Sequence, residues 1–269
     1  MSNIELIALA AVLLVGIPHG GLDGAIARRQ GWPPTRLAWI GFHLVYLLLA
    51  LLVIFLWQLF PLFGLGIFLV ISGIHFARSD CGNNLNRGWA SLIAHGGLVP
   101  IVIPYVQTAE VRPIFTLLVG EANTVLLLSA IEILVIPWLA SVLIYTRLAI
   151  KDPFIRSTFF ALLCLIIATL VLPPLVSFAL YFCVFHSPRH IRDILSRLSS
   201  QERQRGLYEM VVYSIIAIGV IILCAVYLQN EMQLLPKLLQ VSFIGIAALT
   251  VPHMLLVDYG SYSKRRLYR

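Results

Sequence analysis

Charged side chains are scarce in this sequence. Asp, Glu, Lys and Arg make up 12% of its 269 residues, about half the share of an ordinary soluble domain. With 60% hydrophobic residues and a mean hydropathy of +0.94, a soluble globular fold is excluded, because so much apolar side chain could not be kept from water. Disorder is excluded as well, since 14 Phe, 10 Tyr and 5 Trp are spread among the aliphatic residues. Cysteine is sparse too. Cys81, Cys164, Cys183 and Cys224 form no CxxC pair, and three of them fall in apolar runs, so neither a disulfide framework nor a thiolate metal site is expected. The HExxH arrangement of a zinc protease is missing, as are internal repeats and low-complexity segments. The N-terminal residues lack the positive flank of a signal peptide, so the first apolar run is expected to stay in the protein.

What the sequence does contain is a series of long apolar runs broken by Pro, Gly and charge clusters. These predict an all-α, polytopic transmembrane bundle forming a single integral-membrane domain over 1–269. About nine helices are expected, near 3–17, 36–59, 62–77, 89–106, 124–147, 157–172, 175–190, 208–228 and 236–257. A crossing takes about 20 residues, so the first, third, sixth and seventh are short. The Pro173–Pro174 pair reads as a tight turn between two helices. Nine crossings with the N-terminus outside and the C-terminus cytoplasmic leave only Arg112 and Lys237, of the 19 Lys and Arg, on the outer side. That is the bias expected of a multi-pass protein of the inner (plasma) membrane. The net charge of +7 is then an orientation signal, and nucleic acid is not an expected partner.

The seven histidines are His19, His43, His75, His95, His186, His190 and His253. On the nine-helix reading all lie at similar depth, in the cytoplasmic half of the membrane. Ionisable groups there are costly and mark function, and neutral imidazole is the commonest protein ligand for transition metals. His186 and His190 are spaced i, i+4, which puts both rings on one helix face if the helix persists through Pro188. His19, His75, His186 and His190 are best explained together by a shared metal. His253 is intermediate, and His43 and His95 read as packed, hydrogen-bonded core residues. Asp23 follows His19 by four residues and Asp80 follows His75 by five. Each is expected to accept the second N–H of a ligating imidazole or to balance the basic inner face.

Four segments, in order over nearly the whole chain, carry a resemblance. They are Pro18-His19-Gly20-Gly21-Leu22-Asp23, His75-Phe76-Ala77-Arg78-Ser79-Asp80, His186-Ser187-Pro188-Arg189-His190 and Pro252-His253-Met254-Leu255-Leu256. The chain resembles the Brp/Blh family of membrane-bound β-carotene 15,15′-dioxygenases, with Ala77 where family members often carry Gly. The resemblance implies Fe(II)-dependent cleavage of the central double bond of β-carotene by O2, giving two retinal molecules. It implies His19, His75, His186 and His190 as iron ligands, with His253 as a fifth or as part of a second metal site. It also suggests a retinal-binding rhodopsin as product acceptor.

A substrate already dissolved in the lipid bilayer would enter laterally between helices. Phe42, Tyr46, Phe76, Tyr181, Phe182 and Phe185, close in sequence to the histidines, are the residues expected to line that path, although ordinary helix packing explains any one of them. Among rival readings, a membrane non-haem iron desaturase or hydroxylase would cluster more histidines and carry an HxxHH box, which is missing. A bis-histidine haem protein is a further reading. A transporter would use Glu132, but it needs polar groups spread through the membrane depth, and the histidines form one layer.

Overall fold

The computed structural model describes residues 2–32, 35–82, 88–228 and 233–259; Arg87, Lys264, Arg265, Arg266 and Arg269 of the expected basic face lie outside them. Among the described residues the chain is helical and contains no strand. The elements are α1 (Asn3–Arg29), α2 (Arg36–Leu59), α3 (Pro61–Cys81), α4 (Trp89–Gly96), α5 (Leu98–Val106), α6 (Thr108–Val119), α7 (Glu121–Lys151) and α8 (Pro153–Val171). They continue with α9 (Pro174–Ala179), a π-turn (Leu180–His186), α10 (Ser187–Leu195), α11 (Ser200–Tyr227) and α12 (Leu234–Met254).

Among the described residues, seven helices are long and apolar enough to cross a membrane, or eight when α4 and α5, bent by 46° at their junction, count as one broken span. The chain is a multi-pass membrane protein. The sequence expectation of about nine differs mainly at 175–190. There the chain is helical in three successive pieces, and α10 is strongly polar, with Arg189, Arg192 and Asp193. The first helix runs on past residue 17, because the Pro18-Gly20-Gly21 segment tightens into a 3-10 turn (Ile17–Leu22) and α-helix resumes at Asp23. Sequence reasoning missed α6, a short helix ended by Gly120 at φ 82°. The Pro173–Pro174 pair does separate two helices: Leu172 and Pro173 are extended, as a residue before proline prefers.

Two compact units are present. The first joins Leu9–Leu59 to the chain from Ser187 onward and so holds most of α1 with α2, α10, α11 and α12. At Gly21 a Cβ would fall 2.9 Å from the Met210 backbone, so α1 packs directly on α11. Beside this contact Arg28 forks onto Glu209, with its guanidinium 5.0 Å from the centre of the Trp39 ring. A capping box starts α11: Ser199 Oγ accepts from the Glu202 N–H, while the Glu202 carboxylate accepts from the Ser199 N–H.

The second unit is Ser2–Ala8 with Phe60–His186. Here α3 and α4 meet through glycine. A Cβ on Gly73 would lie 2.8 Å from the Gly96 carbonyl, and one on Gly96 would lie 3.1 Å from the Ala77 Cβ. The small residues let two backbones approach, as membrane helices do where lipid supplies no hydrophobic drive between them. That contact sets His75 of α3 and His95 of α4 on closely packed helices.

Candidate metal centre

In the first unit the 3-10 turn of α1 presents His19, α10 presents His190 and the last turn of α12 presents His253. Their ring centres are 5.5 Å (His19–His190), 5.1 Å (His19–His253) and 5.3 Å (His190–His253) apart, at interplanar angles of 90°, 88° and 68°. Metal–nitrogen bonds of about 2.1 Å place three imidazoles of one tetrahedral or trigonal site with ring centres roughly 5–5.5 Å apart, so the spacing fits. His19 and His253 are buried and His190 is half-buried.

The outer nitrogens of two of these rings are engaged. His19 Nδ1–H donates to the Gly16 carbonyl, with Ser187 Oγ 3.4 Å away. His253 Nδ1–H donates to Asp23 Oδ1 at 2.7 Å, and the other oxygen of Asp23 accepts from the Tyr46 hydroxyl at 2.8 Å. A neutral imidazole that donates from Nδ1 carries its lone pair on Nε2. This is the outer arrangement of metal-binding histidines, in which a carbonyl or carboxylate fixes tautomer and ring orientation. Asp23 was expected beside His19, four residues away; the 3-10 turn breaks that α-helical register, and the carboxylate serves His253 instead.

In the second unit His75 and His186 stand with ring centres 5.1 Å apart at 71°. Both are fully enclosed, at 4% and 0% exposure. Phe182 stacks on His186 at 5.7 Å and 10°, Tyr181 at 6.1 Å and 25°, and Phe76 meets its edge at 4.9 Å. His186 closes the π-turn Leu180–His186, and a π-turn (Val12–Gly16) also precedes His19. Such turns recur at functional sites. The helix persists through Pro188, and within the units just described His186 rings with His75 while His190 rings with His19 and His253. Among the described residues, no group of three or more His, Cys, Asp or Glu side chains is arranged as it stands to hold a metal ion.

A family model described as Beta-carotene 15,15'-dioxygenase matches residues 10–259. The chain belongs to the β-carotene 15,15′-dioxygenase family. It is 36% identical over 267 residues to a Beta-carotene 15,15'-dioxygenase of Uncultured marine bacterium 66A03, covering 95% of this chain and 94% of that protein. No solved structure matches it.

The matched span contains both histidine groups of this dioxygenase-family chain and both carboxylates singled out in the sequence. Of the aromatic residues expected near the histidines, Phe76, Tyr181 and Phe182 enclose His186. Tyr46 is the hydrogen-bond donor to Asp23, a role its spacing did not reveal. Phe42 packs between Trp39 and Tyr46 at the edge of His43, and Phe185 is half-buried. Both nitrogens of His43 are taken, by the Trp39 carbonyl at 2.9 Å and the Tyr213 hydroxyl at 2.8 Å. Asp80 accepts from the Tyr181 hydroxyl at 3.0 Å and lies 3.5 Å from His95 Nδ1, while Tyr145 packs on the His95 ring. No sequence spacing signalled the His95–Asp80–Tyr181 link, since its members come from three helical segments.

Proposed function

We propose that this chain cleaves the central double bond of β-carotene with O2 to give two retinal molecules, and that Fe(II) is its cofactor. The observation that carries the reading is a group of closely spaced imidazoles, two of them (His19 and His253) held by outer hydrogen-bond partners, in a chain of this family. Neutral imidazoles without thiolate suit Fe(II) among the first-row metals. His19, His190 and His253 would hold an ion in the first unit, where the ring spacing fits. His75 and His186 supply imidazoles in the second, and the family resemblance assigns ligation to His19, His75, His186 and His190.

When bound, the metal would supply a site for activating O2 beside the polyene. The reaction balances without other reagents. The central carbon–carbon double bond breaks, each carbon gains one oxygen atom of O2, and two aldehydes result. No external electron or proton donor is consumed, so the protein's own task is to hold, orient and exclude. Asp23 and Tyr46 keep His253 in the Nδ1–H tautomer, and the Gly16 carbonyl does the same for His19. Phe76, Tyr181 and Phe182 wall His186 with apolar surface, which suits a hydrocarbon substrate and keeps water from oxygen chemistry. Substrate entry and retinal release through the bilayer follow from the solubility of both molecules. A retinal-binding rhodopsin would be the acceptor, and the inner membrane the location.

The test is expression in cells that accumulate β-carotene, with retinal measured by chromatography and iron by elemental analysis. Retinal with stoichiometric iron is expected. Iron without retinal would overturn the substrate, and full retinal production by a His186→Ala/His190→Ala variant would overturn the ligands.

A further inference from the structure

Two links join the end of α3 to the π-turn (Leu180–His186) within the second unit. His75 meets His186 with ring centres 5.1 Å apart, and the Tyr181 hydroxyl donates to Asp80 Oδ2 at 3.0 Å. Asp80 follows His75 by five residues, and Tyr181 precedes His186 by five. The two segments therefore run antiparallel, and the two links are successive rungs between them, roughly 7–8 Å apart at 1.5 Å per residue. Phe76 of α3 meets both rings on the π-turn side, 5.0 Å from the centre of Tyr181 and 4.9 Å from that of His186. The Tyr181 ring itself lies against His186 at 25°.

The Asp80 rung calls for tyrosine in particular. Phe182 also stacks on His186, so packing against the imidazole needs no hydroxyl. Tyr181 is buried, and a buried hydroxyl requires an acceptor, which Asp80 supplies. The Asp80 side chain is only 6% exposed and is steadied from α4, where His95 Nδ1 lies 3.5 Å from the same oxygen. His95 Nε2 makes no hydrogen bond with any described residue, which leaves this carboxylate as the polar anchor of that ring. The first unit combines the same three groups: Asp23 accepts from the Tyr46 hydroxyl and from His253 Nδ1.

We propose that Asp80 and Tyr181 are positioning residues for the His75–His186 pair. Their bond fixes the separation of the two segments that carry these histidines. Tyr181 is then held at both ends, by its backbone in the π-turn and by its hydroxyl on α3, so its ring cannot swing away from His186 and fixes the orientation of that imidazole. Asp80 thus acts on His186 through a tyrosine, where its spacing in the sequence pointed to His75. Neither residue touches the metal or the substrate in this role. The assignment deepens the proposed function and rests on ligation by His75 and His186.

The experiment is titration of the full-length protein in micelles with Fe(II) and, separately, with Co(II), whose visible absorption bands report the geometry of its ligands. Tyr181→Phe and Asp80→Ala are each expected to weaken Fe(II) binding about 10-fold, the lower end of the loss for an outer partner of a ligating histidine, and to shift the Co(II) bands. The double variant falls no further than either single one, because each removes the same bond. Asp80→Asn largely retains binding, since both contacts fall on one oxygen, which an amide also provides. Tyr181→Phe with wild-type affinity and bands overturns the proposal, as do losses that add in the double variant. Lower thermal stability with unchanged Co(II) bands also overturns it, because the bond would then serve folding alone. His186→Ala separates the proposal from the reading beneath it. Where the wild type binds iron and His186→Ala does not, that reading stands and the Tyr181 and Asp80 variants decide the proposal by themselves; iron held equally by both, or by neither, overturns the two together.

Discussion

His253 and Asp23 stand 230 positions apart in the chain, yet the Nδ1 of one donates to a carboxylate oxygen of the other at 2.7 Å. This bond ties the end of α12 to α1 just after the turn that carries His19. It also leaves the lone pair of the His253 ring on Nε2. Asp23 is itself held by Tyr46 from α2, so three helices of the first unit converge on one imidazole.

Replacing this carboxylate should weaken metal retention without unfolding the chain. For Asp23→Asn, iron affinity is expected to fall about 10- to 100-fold, the usual consequence of losing an outer partner of a ligating histidine. Tyr46→Phe should show a smaller loss, because Asp23 keeps its bond to His253. Iron titration of purified protein measures both; an unchanged affinity in Asp23→Asn would remove His253 from the ligand set.

The histidines should divide into two classes. His43→Gln is predicted to lower stability by about 1–2 kcal/mol, the scale of a hydrogen bond lost from a half-buried pair, while iron content stays at the wild-type level. His75→Ala and His186→Ala should lose iron. Thermal melting beside elemental analysis separates the two effects, and loss of iron in His43→Gln would contradict the assignment of that residue to packing.

Glycine positions should respond according to the space around them. In Gly21→Ala the new methyl meets the Met210 backbone, which cannot swing away as a side chain can, and a loss of about 1–3 kcal/mol is expected. Gly219, on the same partner helix, has nothing within 4 Å of its added Cβ. Gly219→Ala should therefore be neutral or stabilising by up to ~1 kcal/mol, since Ala is the better helix former. Denaturant unfolding in micelles compares them; equal losses would contradict direct α1–α11 contact.

The side of the membrane that receives Arg189, Arg192, Arg197, Arg203 and Arg205 depends on whether the broken helical stretch from Pro174 to Leu195 crosses. If it does, these residues share the cytoplasmic face with the rest of the basic set, as the positive-inside tendency requires. An Arg197→Cys variant should then react with an impermeant maleimide only after the membrane is opened. Labelling in intact cells would mean either that this stretch does not cross or that the orientation inferred from charge is reversed.

The helical class and the ends of several spans were legible because hydrocarbon imposes them locally. A membrane helix must satisfy its own backbone hydrogen bonds, so a run such as Arg36–Leu59 declares itself by composition alone. The five chemically interesting histidines were legible for a related reason, since imidazoles are conspicuous where polarity is costly. Their grouping was not. The spacing of His186 and His190 says that two rings share a helix face, and says nothing of what lies across from it. Likewise Asp23 seemed to belong to His19 on an α-helical count, and a 3-10 turn around Pro18 moved it to a partner at the far end of the chain. By itself the sequence determined that this is a multi-pass membrane protein with imidazoles set among apolar helices, because burial cost is a property of each residue. Only the tertiary structure decided that His253 rings with His19 and His190, and that Tyr46 and Asp23 hold it. Those contacts arise from how helices distant in sequence pack, which no local spacing records.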